Sequence, residues 1–321
     1  MEKILDIVAL GEILIDFTPY GNSDRGNTLF EQNPGGAPAN LLVAATRFGA
    51  NTSFIGKVGQ DQFGHHLKEV LEDTNIDTSG LVFTKDANTT LVFVHLDDEG
   101  ERTFSFYRKP GADFLLEVGD LNKGLLSSTK VFHFGSLSLT NEPARSASLQ
   151  AVQYAKDSGA IISYDPNWRP GLWDSKEDAI GWMRTGARYA DIIKVSDEEL
   201  SLITGENDIK SACELLKDMG PQIILVTLGE EGCYYSVGKD QAIVPSYKVA
   251  VVDSTGAGDS FFGSFLYQVI ETGKELKDIS KDEIETFIAI SNATAALCIQ
   301  KKGAIPAIPL RKDVQGFMAK L

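Results

Sequence analysis

With 321 residues, 43% of them apolar and 23% charged, the chain can build the core of one large α/β domain or of two smaller ones. A net charge of −15 at pH 7 argues against nucleic acid and anionic membrane as general partners, since neither is attracted to such a surface. Any polyphosphate ligand then has to be held by local donors and a divalent cation, not by the overall field.

From the N-terminus, short apolar runs alternate with helix-like segments. Residues 4–10 read as a first buried strand and not as a leader peptide. A helix over 37–48 tolerates Pro38 in its first turn, and a strand over 52–58 and a helix over 64–74 follow. Strands over 130–134, 161–165, 192–195 and 223–228 are separated by helices over 143–158, 177–188 and 198–202. A strand-like run at 249–252 leads into a helix beginning at Asp259, and a further helix covers 283–297. Short continuous apolar strands alternating with helices imply a parallel sheet covered on both faces.

Two extended segments break this rhythm. Residues 89–96 and 102–108 flank the turn-rich Asp97-Asp98-Glu99-Gly100 and read as a β-hairpin. Runs at 13–17 and 28–31 add further strands. Such strands cannot enter the interior of a parallel sheet without crossovers, so they are expected to form a small separate sheet, a lid drawn from about residues 13–33 and 88–113 within one domain of 1–321. Period-two alternation puts Phe104, Phe106 and Arg108 on one face of that hairpin, with Phe104 read as lid packing or a contact between subunits. No stretch approaches the roughly 20 apolar residues of a membrane span. Three widely spaced cysteines, Cys213, Cys233 and Cys298, lie in apolar surroundings and suit a reducing, cytoplasmic setting. His65, His66, His95 and His133 lack metal-binding spacing and read as surface or core residues.

Two motifs carry chemistry. In Asp253-Ser254-Thr255-Gly256-Ala257-Gly258-Asp259, small residues precede a helix whose first-turn N–H groups and dipole favour an anion. Asp259 puts a carboxylate beside that site; it reads either as a helix cap or as a base taking a proton from a hydroxyl that attacks a phosphate. In Gly35-Gly36-Ala37-Pro38-Ala39-Asn40, preceded by Gly11-Glu12-Ile13-Leu14-Ile15-Asp16, two glycines again open a helix. Asp16 lies just past the carboxyl end of the first strand, where open α/β sheets place ligands. Asp accepts bonds from vicinal hydroxyls, and Asn both donates and accepts, as a sugar requires; the alternative is a glycine-rich turn with an Asn cap.

Together these motifs resemble the two signatures of the ribokinase (phosphofructokinase-B) family of carbohydrate kinases, in the right order and over the whole chain. The resemblance implies a ribokinase-like three-layer α/β/α sandwich with a mostly parallel central sheet and a small β-sheet lid, using ATP and Mg²⁺, and in many relatives K⁺. It implies Asp259 as general base and the amides of Gly256, Ala257 and Gly258 as an anion hole. Asp16, Gly35, Gly36 and Asn40 would bind sugar. Ser196-Asp197-Glu198-Glu199 is similar to the family's Asn-x-x-Glu motif, with Ser in the first place and Glu199 organising Mg²⁺ through water. Thr227, Gly229 and Gly232 match a strand-end nucleotide loop, and Asn292 with the turn at Gly303 matches the adenine region. Asp253, Thr255 and Gly303 match a monovalent-cation site. Lys194 reads either as a phosphate contact or as an exposed lysine without a role.

For the acceptor, Asp165-Pro166-Asn167-Trp168-Arg169 resembles a segment of fructokinases and 2-keto-3-deoxygluconate kinases and disfavours a nucleoside kinase. Asp165, Asn167, Arg169, Phe106 and Arg108 would then contact the sugar. Phe106, where keto-deoxygluconate kinases commonly have Tyr, together with Gly111-Ala112-Asp113 leans toward a neutral sugar, D-fructose. Arg108 and Arg169 as a carboxylate clamp keep the acid sugar as the alternative. An inactive sugar-sensing relative is a reading of a different class. A homodimer through the lid is expected from its strand edges and aromatics.

Overall fold

A computed structural model describes residues 3–96 and 102–320, without the side chains of Leu96, Arg102 and Phe104. The expected turn at 97–100 and the side-chain role of Phe104 therefore lie outside the described residues. In chain order the first elements are β1 (Leu5–Leu10), β2 (Leu14–Asn22), β3 (Thr28–Gly35), α1 (Ala37–Phe48), β4 (Thr52–Gly59), α2 (Gln62–Asp73) and β5 (Asp77–Thr84). Then come β6 (Leu91–Leu96), β7 (Arg102–Tyr107), α3 (Lys123–Ser128), β8 (Thr129–Gly135), α4 (Ala144–Asp157), β9 (Ile161–Asp165) and α5 (Lys176–Tyr189). The rest comprises β10 (Ile192–Ser196), α6 (Asp197–Thr204), α7 (Ile209–Lys217), β11 (Ile223–Thr227), β12 (Cys233–Val237), β13 (Asp240–Val244), α8 (Ala257–Glu271), α9 (Lys281–Cys298) and α10 (Arg311–Met318).

Nine strands form one sheet in the order β13-β12-β11-β10-β9-β8-β1-β4-β5, parallel except for the β12–β13 edge. Alternation along β1 shows how the sheet divides the core. Ile7 and Ala9 pack into the cluster beneath α1, α8 and α9, whereas Val8 and Leu10 pack into the one beneath α3 to α7. Each fully buried Phe, such as Phe54 or Phe132, contributes about 1.5–3 kcal/mol by leaving water. The layers make a helix–sheet–helix sandwich.

A second sheet of four strands, β3-β2-β6-β7, stands apart, as expected of the extended segments. β2 and β3 are longer than the sequence pattern indicated while β6 and β7 are slightly shorter, and β2 pairs parallel with β6, Asp16 opposite Val92. One expectation fails: residues 249–252 are not a strand. Val251 and Val252 are 65% and 50% exposed, and Val252 makes a single backbone bond to Ile299. A run of apolar residues alone does not supply the neighbouring strand that a ladder requires. The following helix starts at Ala257, two residues before Asp259.

Candidate active site

A cavity of about 520 Å³ opens between the carboxyl edge of the large sheet, the N-termini of α1 and α8, and one face of the small sheet. Asp16, Gly36, Asn40, Phe106, Asn167, Arg169, Lys194, Asp253, Thr255, Gly303 and the Gly256-to-Asp259 turn all line it. Residues separated by more than two hundred positions meet because α1 and α8 pack side by side on the same face of the sheet.

The turn into α8 explains its glycines. Gly256 is the N-cap residue with φ 79°, a left-handed conformation that a side chain resists, and it offers no side-chain cap. The N–H groups of Gly256 and Gly258 have no acceptor among the described residues, and that of Ala257 makes only a long 3.3 Å bond to Ser254 O. Unpaired amides at a helix start make an anion site. Lys194 adds a cation: its Nζ would lie 3.3 Å from a Cβ placed on Gly258.

Asp259 is not the cap of this helix. Its Oδ2 accepts a 2.8 Å bond from Nδ2 of Asn40, and Asn40 likewise caps nothing, since Gly36 is the N-cap of α1. Oδ1 of Asn40 is buried with no hydrogen-bond partner among the described residues, and Asn40 is part of the cavity wall. Burial pushes the Asp259 carboxyl up to about 6, and nearby Asp165 adds to the rise; Asn40, Lys194 and Arg169 oppose it. A carboxylate poised near neutrality is suited to accept a proton. Asp16 is likewise raised by burial to about 6, with Arg169 opposing.

Lys194 is no exposed lysine: it is 6% exposed and ion-paired to Asp165 Oδ2 at 2.8 Å. Burial works against its charge, but Asp165, Glu199 and Asp259 outweigh burial and raise its pKa. A buried ion pair adds little net stability because desolvation offsets the attraction, so stability alone does not account for a cation beside the amide turn. Asp165 Oδ1 accepts the Asn167 amide at 3.1 Å, and Asn167 adopts φ 45°, bringing this loop to the cavity rim beside exposed Arg169.

Other expected residues lie outside the cavity wall. Gly35 ends β3, where a Cβ would sit 2.7 Å from the Asp16 carboxylate. Arg108 does not continue the face of Phe106, because β7 stops at Tyr107. Its buried guanidinium turns to Asp113, to the Leu137 carbonyl at 3.3 Å and onto the Phe114 ring at 4.0 Å. Glu199 forms a capping box with Ser196: its Oε2 accepts the Ser196 amide at 2.8 Å, and Ser196 Oγ accepts the Glu199 amide at 3.1 Å. Ser in place of Asn at 196 thus keeps the capping function. Glu199 Oε1 also accepts the Trp168 amide at 2.7 Å, tying α6 to the 165–169 loop. Thr227 ends β11, with Gly229 and Gly232 in the turn beyond, and Asn292 Nδ2 donates to the Val244 and Pro245 carbonyls at 3.1 Å each. Asp253 draws its own group together, accepting from Thr255 N and Oγ1 at 2.9 and 2.7 Å and from Gly303 N at 3.0 Å.

Sequence reasoning missed Glu12, Thr18 and Asn33, which line the cavity. Glu12 had one signal, a charge set between Gly11 and Ile13 directly after a buried strand. Asn33, which donates to Thr18 Oγ1 at 2.8 Å, had none. Among the described residues no group of three His, Cys, Asp or Glu side chains is arranged to hold a metal directly. His133 is buried and bonded to Ser163, while His95 is exposed and bonded to Ser105. No described helix is long and apolar enough to cross a membrane.

Comparison with known proteins decides the family: the profile described as pfkB family carbohydrate kinase matches residues 5–311. The chain belongs to this family. The kinase is 44% identical over 316 residues to Fructokinase-1 of Oryza sativa subsp. japonica, with 97% of each chain covered. To Fructokinase-2 of Solanum lycopersicum it is 44% identical over 310 residues, covering 96% of this chain and 94% of the other. Among solved structures it matches fructokinase with bound ATP from Xylella fastidiosa with a TM-score of 0.92 at 32% identity, covering 100% of this chain and 99% of that one. A double mutant of fructokinase from Vibrio cholerae O395, in a fructose, ADP and potassium ion bound form, matches with a TM-score of 0.87 at 31% identity over 99% of each chain.

Proposed function

We propose that this kinase transfers the γ-phosphoryl group of ATP to the primary 6-hydroxyl of D-fructose, with Asp259 as the general base. The observation that carries the reading is the placement of the Asp259 carboxylate, fixed by Asn40, one residue beyond the unpaired Gly258 amide on one cavity wall. A base and an anion hole side by side suit a hydroxyl that loses its proton while charge builds on a phosphoryl group.

Asp16 and the unpartnered Oδ1 of Asn40 are the acceptors for sugar hydroxyls, with Asn33 and Thr18 facing them from the small sheet. Leu14, Val92, Val94 and Phe106 provide the apolar surface over the ring. With Arg108 committed to Asp113 and no hydroxyl at Phe106, the wall favours a neutral sugar over an acidic one. Acting as a lid, the small sheet excludes water that would compete as nucleophile.

The amide turn and Lys194 fit the phosphate end of the nucleotide. Thr227, Gly229, Gly232, Asn292 and Gly303 would lie along its nucleoside end, and Ser196 holds Glu199 in place behind the phosphates. Magnesium, when bound, offsets phosphate charge as a Lewis acid; Glu199 would organise its waters. Asp253, Thr255 and Gly303 are the residues we assign to a monovalent cation such as K⁺ behind the anion hole. Three free, buried cysteines fit a cytoplasmic setting.

Coupled ADP release at fixed Mg·ATP, comparing D-fructose with 2-keto-3-deoxygluconate, tests the proposal. Fructose should win on kcat/KM, and Asp259→Asn should lower kcat by about 10³-fold or more while ATP binding persists. A preference for the acid sugar would reassign Arg169 as a carboxylate contact. Silence on both sugars despite ATP binding would favour a sensor.

A further inference from the structure

We propose that Glu12 is a positioning residue for phosphoryl transfer, acting through the first turn of α1 on Asn40 and so on the Asp259 carboxylate. The inference rests on the kinase reading above. Its starting point is an omission in α1, a helix of 12 residues whose N-cap, Gly36, makes no side-chain bond and whose first turn contains no acidic residue. The first amides of a helix need acceptors from outside it. Here the acceptor comes from 25 positions upstream: Glu12 Oε1 takes the Ala37 N–H at 3.0 Å.

The arrangement is enforced by packing. A Cβ on Gly11 would fall 2.6 Å from Cγ of Pro38, and one on Gly36 would collide with the Glu12 carbonyl oxygen. The turn after β1 and the first turn of α1 are therefore one packed unit, and Gly36, with φ 119°, cannot be exchanged for an ordinary capping residue without losing that approach. Asn40 belongs to the same turn, since its amide donates to Gly36 O at 2.9 Å, and its side chain donates to Asp259 at 2.8 Å. The path from Glu12 to the base thus runs through two hydrogen bonds and one helical turn.

A cap alone would not call for this residue. Glu12 is 4% exposed, and burial disfavours its ionised form. Arg108 offers attraction, but it is held by Asp113, and its Nη1 has no hydrogen-bond partner among the described residues. Apart from its own amide, the backbone donor that this buried carboxylate meets is the Ala37 amide at the start of α1, and the role we assign to Glu12 lies in what that second amide positions.

The test compares wild type, Glu12→Gln and Glu12→Met by fructose kinetics, with kcat expressed per fructose-binding site counted by calorimetry. Gln keeps an acceptor oxygen in place and should hold kcat within about threefold; Met removes it and should lower kcat about 30-fold with KM for ATP within twofold. Counting sites separates a misplaced base from a partly unfolded sample. If Met matches wild type, or if Gln is as damaged as Met, the proposal is overturned. Should Met fail to fold, Glu12→Ala is read by the same criteria. Wild type inactive on fructose would instead refute the functional reading, so the two failures are distinguishable.

Discussion

Asp259 meets opposing demands at a single position. In the role we propose for it, transfer requires its ionised form, while burial holds its pKa at about 6, above the ordinary 3.8. Because the folded-state value is the higher one, proton binding favours folding: the contribution is full below about 4 and is lost as pH rises through about 6. At pH 8 the native state carries a buried ionised carboxylate that the unfolded chain would solvate. Acidification should therefore exchange activity for stability. We expect kcat/KM for fructose to fall about tenfold per unit below pH 6. Asp259→Asn should melt above wild type at pH 8, with the gap narrowing below pH 6 and nearly closed by pH 4. Calorimetric melting at both pH values checks this; a wild type more stable than Asp259→Asn at pH 8 would contradict it. Asp259 and Asn40 could be singled out from their motifs, but the bond between them could not, because nothing local fixes how two helices face each other.

At the scale of elements, the parallel strands could be read from the sequence because each is a short apolar run between helices, and α1 and β9 match their expected bounds. The β12–β13 hairpin escaped notice because Ser236 interrupts the apolar run of the mostly buried β12 and β13 is half-exposed, and 249–252 misled because apolarity was present without a partner strand. Element starts are where this fold concentrates its chemistry, so substitutions there should be severe. Gly36→Ala places a side chain at φ 119° and against the Glu12 carbonyl. It should destabilise the protein by about 3 kcal/mol, whereas Gly171→Ala, with no atom within 4 Å of its Cβ, should be near neutral. Urea midpoints for the two variants provide the comparison. Equal midpoints would remove the close approach of α1 from the account.

For the whole molecule, the small sheet has two faces with different destinations. Asp16, Val92, Val94 and Phe106 face the cavity, while Phe17, Phe30, Phe93 and Tyr107 cluster on the opposite side. Phe17 stacks on Phe93 at 4.9 Å, yet Phe30 and Tyr107 remain 37% and 66% exposed. We propose that a second copy of the chain covers this face, giving a homodimer through the lids. Light scattering after size exclusion should report two chains per particle for wild type and one for the Phe30→Asp, Tyr107→Asp double variant. A monomeric wild type at micromolar concentration would reject the dimer.

By itself the sequence determined the α/β class, the separate small sheet and the two glycine-flanked motifs, because periodicity and turn chemistry are local properties written within a few neighbouring residues. Tertiary structure alone decided that Lys194 is buried against Asp165, that Arg108 turns away from the cavity, that Asn40 holds Asp259, and that Glu12 caps a helix 25 residues downstream. Those outcomes depend on which surfaces meet when the helices close over the sheet. Burial, partner and pKa are properties of that meeting, and a side chain acquires them only once the chain has folded.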